Sequence, residues 1–85
     1  MSPAALLDEA DAVIAQRAEV YGPASDSMAA IAARWSLTLG TTVTPAQVAL
    51  CMIDLKLARL AHDPKHRDSM IDVIGYAALL SEVIQ

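Results

Sequence analysis

Residues 44–76 read TPAQVALCMIDLKLARLAHDPKHRDSMIDVIGY and contain both a helix start and a chain reversal. Thr44-Pro45-Ala46-Gln47 has the form of a capping box with proline in the first turn. The threonine hydroxyl and the glutamine side chain can then satisfy each other's orphan backbone N–H groups. From Val48 to Leu60 the apolar residues cover more than one helical face, and His62-Asp63-Pro64 ends the helix near Ala61. A second helix starts near Arg67 or Asp68, where a carboxylate suits the positive end of the dipole, and runs on through Met70, Ile71, Val73, Ile74, Ala77, Leu80 and Ile84. The stretch therefore predicts a helical hairpin turning about Pro64.

The same signals recur upstream. Ser2-Pro3 pairs a cap residue with proline at the first helical position, and Gly22-Pro23 closes that helix. Leu6, Ala10, Val13, Ile14, Arg17 and Tyr21 fall at helical spacing, so Arg17 and Tyr21 are expected to prolong the core stripe. A further helix spans about Ser25 to Leu39, with Met28, Ile31, Ala32, Trp35 and Leu39 as its buried row and Gly40 at its end. No stretch alternates as a strand would. The prediction is an all-α, four-helix bundle-like domain over residues 1–85, its short loops joining antiparallel hairpins.

Composition limits what such a domain does. Hydrophobic residues make up 55% of the 85, Phe is absent, and the apolar content is that of helix packing. One short bundle cannot hide so many apolar side chains, and self-association into a homo-oligomer is the expected remedy. Six basic against ten acidic residues give a net charge of −4, which argues against duplex nucleic acid as a partner. Trp35 to Ile53 is uncharged, but Gly40, Pro45 and four threonines make it a helix end, a loop and a helix start. No membrane partner is expected, nor a basic leader, and the cytoplasm is the expected compartment. Cys51 is unpaired and sits at an apolar helical position, where it reads as a small buried hydrophobe.

The hairpin also gathers charge. Lys56 and Asp72 each lie eight residues from Pro64, and Arg59 and Asp68 lie five and four away, so both pairs are expected to be level. Asp72 is the only charge between Ser69 and Ser81, one turn before Tyr76, with Gly75 permitting close backbone approach beside it. A lone carboxylate in such a run must be paired or functional. Two interhelical salt bridges fixing the register form one reading. The other adds Arg17 and Tyr21 from the first helix and places His66 at the rim. The cations then hold phosphate, the phenol stacks or hydrogen-bonds, and a carboxylate meets a base or ribose. Candidate ligand residues are thus Arg17, Tyr21, Lys56, Arg59, His66, Asp68, Asp72 and Tyr76, with no metal site and no cofactor. His62 and His66 are separated by Pro64 and are not expected to form a zinc pair. Ser69 lacks a positioned base, and Glu19 and Asp54 read as exposed helix positions.

Arg17…Tyr21-Gly22, Ile31-Ala32…Trp35-Ser36, Thr44-Pro45…Val48-Ala49, Leu55-Lys56…Arg59 and His66-Arg67-Asp68-Ser69…Asp72…Gly75-Tyr76-Ala77 resemble a family of small helical proteins of actinobacterial phages. The resemblance covers nearly the whole chain and implies a phage origin, hence the cytoplasm of an infected bacterial host. More distantly the chain resembles the MazG-like all-α nucleotide pyrophosphohydrolases, which place E-x-x-E on one helix and E-x-x-D on a later one to hold magnesium and a nucleoside triphosphate. Here Asp68-x-x-x-Asp72 has a different spacing, and Asp54-Leu55-Lys56-Leu57 lacks the second carboxylate. Magnesium would enter only with that hydrolase reading. A cation in place of a metal ligand suits holding phosphate better than cleaving it. The leading expectation is a nucleotide-type ligand bound without turnover, in a phage setting a sequestered host defence signal. A MazG-like hydrolase and a non-catalytic assembly module are the alternatives.

Overall fold

A computed structural model describes residues 2–84. It contains four helices, α1 (Pro3–Tyr21), α2 (Ala24–Leu39), α3 (Pro45–His62) and α4 (Arg67–Val83), and no strand among the described residues. The all-α, bundle-like architecture read from the sequence is the one observed.

Local chemistry sets the boundaries. Ser2 Oγ accepts from the Ala5 N–H at 3.1 Å at the start of α1. At its end Gly22 adopts φ +80°, a value that favours glycine, while donating to the Ala18 carbonyl. Gly40 ends α2 in the left-handed region. Both arms of the Thr44–Gln47 capping box are made, at 3.1 and 2.9 Å. One device is not a capping signal. The Ser36 hydroxyl donates to the Ala32 carbonyl at 2.7 Å and accepts from the Val43 N–H at 2.8 Å, which clamps the α2–α3 connection.

Helices α2, α3 and α4 form the packed part of the molecule. Met28, Ala32 and Val48 are buried together, with Trp35, Met52, Tyr76, Leu79 and Val83 packed around them. The fully hidden hydrophobic set is short: besides these three it holds Ala10, Ala49 and Ile71. Leu39, expected in α2's buried row, is exposed as the last residue of α2. Cys51 is exposed rather than buried, since it lies on the face of α3 turned away from α2 and α4.

α1 packs chiefly on α4 and touches α2 little. Glu9 pairs with Arg67 near the start of α4, and Ile14 and Arg17 lie near Gly75 and Asp72 further along. Only Ala10 of α1 is buried. Beyond Ile14 the helix borders open space instead of packed side chains, so Arg17 and Tyr21 do not prolong the core stripe. Tyr21 is exposed, and more than half of the Arg17 side chain is accessible.

Candidate functional site

The space beside α1 is a cavity of about 420 Å³ between α1, α2 and α4. Val13, Ile14, Met28, Ile31, Ile71 and Leu79 supply its apolar walls, and Gly75 leaves one stretch of wall bare. Polar groups reach it from Arg17 and Tyr21 on α1, Ser27 on α2, and Asp72, Tyr76 and Glu82 on α4.

Asp72 organises the charge. From α3, Lys56 Nζ lies 3.1 Å from Asp72 Oδ2, and its side chain is only 11% exposed. From α1, Arg17 Nη2 stands 3.8 Å from Oδ1, with 57% of its side chain exposed. The lysine is committed to the carboxylate from behind, outside the cavity lining. The arginine belongs to the cavity lining and stays largely accessible to solvent. One carboxylate between two cations leaves an excess of one positive charge around Asp72, and Glu82, also in the lining, balances it over the cavity as a whole.

Of the eight candidate residues, Arg17, Tyr21, Asp72 and Tyr76 line this cavity and Lys56 supports it. The other three lie elsewhere. Arg59 and His66 line a shallow hollow at the α3–α4 turn together with Leu55, Ala58, His62 and Asp63. Asp68 is exposed in the first turn of α4. No Arg59–Asp68 ion pair forms, because equal distance from a turn fixes height along the helix axis but not direction around it. Arg59 is exposed in the hollow at the α3–α4 turn, while Asp68 lies in the first turn of α4, where its carboxylate meets the helix dipole. The expected backbone approach at Gly75 is also absent: an added Cβ would meet only Ile14 Cγ1, at an ordinary 3.9 Å.

Two arrangements lie outside what the sequence led one to expect. The Glu9–Arg67 pair joins residues 58 apart, beyond the reach of any local pattern. His66 caps α4: its Nδ1 lies 2.7 Å from Ser69 Oγ and 3.3 Å from the Ser69 N–H. Ser69 therefore has an imidazole beside it, contrary to expectation. Its hydroxyl is buried, and the ring nitrogen accepts the helix's orphan donor, so the contact is structural. His66→Ala should lower stability by about 1 kcal/mol and His66→Asn should restore most of it, read from urea titrations. An alanine variant with unchanged midpoint would remove the capping role.

Among the described residues no three His, Cys, Asp or Glu side chains gather as a metal site. No helix of the described residues is long and apolar enough to cross a membrane.

The family described as a domain of unknown function (DUF6378) matches residues 5–84. The chain belongs to this family. Gene 55 protein of Mycobacterium phage L5 is 38% identical over 80 residues, a match covering 92% of this chain and 51% of that protein. The DUF6378 chain thus spans about half the length of the curated relative it matches. Kinship with a phage protein rests on the second of these matches, and neither bears a MazG-like description, so that likeness is unsupported. No solved structure matches.

Proposed function

We propose that this chain binds a small, phosphate-bearing ligand of nucleotide type in the α1–α2–α4 cavity and releases it unchanged. The observation that carries the reading is Arg17: Lys56 already neutralises Asp72, so the arginine is a spare, accessible cation beside a largely apolar cavity. A volume of about 420 Å³ lies within the range of small-molecule pockets. A base would lie against Ile31 and Tyr76, Ser27 or Asp72 would take its polar edge, and the phosphate would meet Arg17. Cleavage of a phosphoanhydride by two metal ions needs several converging carboxylates, and the cavity offers Asp72 and Glu82 ten residues apart. In a phage setting, one use of such binding would be the removal of a host signal nucleotide from solution.

Calorimetry against a panel of nucleotides and cyclic dinucleotides tests this, with products followed by chromatography. Binding is expected with the ligand recovered intact, and Arg17→Gln should weaken it roughly 10- to 100-fold while leaving the helical signal unchanged. Absence of binding across the panel overturns the proposal. Magnesium-dependent release of pyrophosphate would replace it with the hydrolase reading.

A further inference from the structure

The accessible surface is 5629 Å², whereas a compact monomer of 9.0 kDa exposes about 4,850 Å². The radius of gyration, 13.5 Å, likewise exceeds the roughly 12 Å of a compact chain this long. The surplus is of the order of the roughly 800 Å² that each partner contributes to a standard protein interface, and the open cavity beside α1 accounts for part of it.

One face of the molecule is suited to supply it. Along α4 and its C-cap, Met70, Ile74, Ala77, Ser81 and Ile84 recur at spacings of four, three, four and three, the spacing of a coiled-coil seam with one serine in it. They lie on the opposite side of the helix from Asp72, Tyr76, Leu79 and Val83, which face the cavity and the buried cluster. Met70 and Ile74 are half-buried, Ala77 and Ser81 are exposed, and Ile84 is 65% exposed. On α3, Leu50 and Leu57, seven residues apart and each about half exposed, share an outward stripe with the exposed Asp54 between them. Asp72 is the only charge on α4 between Ser69 and Ser81, and it is turned inward. The result is an uncharged, mostly apolar strip on the outer side of α4, with Ser81 as its one polar member.

We infer that a second copy of this chain covers this strip, α4 packing on α4 about a two-fold axis near Ala77. Ala77 stands at the centre of the seam, and its small side chain lets the two helix backbones approach. A two-fold arrangement makes the patch its own complement. The cavity lies on the other side of α4, so the pairing is independent of the ligand reading.

Equilibrium sedimentation of the full chain from low to high micromolar concentration should give twice the 9.0 kDa protomer mass. Ala77→Glu with Ser81→Glu replaces two exposed residues and should yield monomer with the helical circular dichroism intact. In a Cys51→Ser background, Ala77→Cys should form a disulfide-linked dimer on mild oxidation, whereas Ala30→Cys, exposed on α2, should not. A monomer at every concentration overturns the inference. So does a dimer that survives the double glutamate variant, or one that cross-links through position 30 in preference to 77.

Discussion

Asp72→Leu is expected to destabilise the protein by about 3 kcal/mol, lowering its melting temperature by roughly 15 °C. Lys56→Met, by contrast, should cost only about 1 kcal/mol. The asymmetry follows from who else is present. When Asp72 is lost, Lys56 keeps a largely buried ammonium group, and no other carboxylate pairs with it among the described residues. When Lys56 is lost, Asp72 still has Arg17 at 3.8 Å, which can swing inward from its exposed position. The combined Lys56→Met, Asp72→Leu variant removes both buried charges and leaves apolar side chains of similar reach, so it should return to within about 1 kcal/mol of the parent. Urea titration of the four proteins, analysed as a double-mutant cycle, reads these values directly. Equal losses in the two single variants would show that Arg17 does not serve as the reserve partner.

That pair was legible in the sequence because two kinds of information coincided there. The proline-marked turn gave the register, and the isolation of Asp72 in an apolar run demanded a partner. At Arg59 and Asp68 only the first was available, and height without azimuth is insufficient. The helix boundaries were legible for a related reason: Ser2-Pro3, Gly22, Gly40 and the Thr44 box act within a few residues of themselves, so nothing distant overrides them. The placement of α1 was not legible. Its chief anchors, Glu9 to Arg67 and Ile14 beside Gly75, are tertiary contacts over some sixty residues. Because α1 lies on α4 and not closely along α2, a cavity opens where the helical spacing implied continuous core. Arg17 and Tyr21 gain their exposure, and their interest, from that displacement. The second apolar face of α3 was visible in the sequence as an excess, and in the fold Leu50, Leu55 and Leu57 are left exposed on it.

Gly75 separates the needs of the fold from those of the cavity. A glycine in a helix interior is about 1 kcal/mol less favourable than alanine. Nothing in the backbone requires it, since Gly75 has no positive φ and an added Cβ would make ordinary contact with Ile14 alone. Gly75→Ala is therefore expected to raise stability by about 0.5–1 kcal/mol, which moves the melting temperature up by about 5 °C. Gly75→Leu goes further, sending a branched side chain into the space bounded by Ile14, Tyr76 and Leu79. It should melt no lower than the parent, because an apolar group fills an apolar void. Its affinity for the ligand found by calorimetry should nevertheless fall by at least about 100-fold, equivalent to some 2.7 kcal/mol. A variant that gains stability and loses binding marks the bare stretch of wall as space kept for a ligand. Undiminished affinity in a well-folded Gly75→Leu protein would move the binding site out of this cavity, whatever ligand the panel identifies.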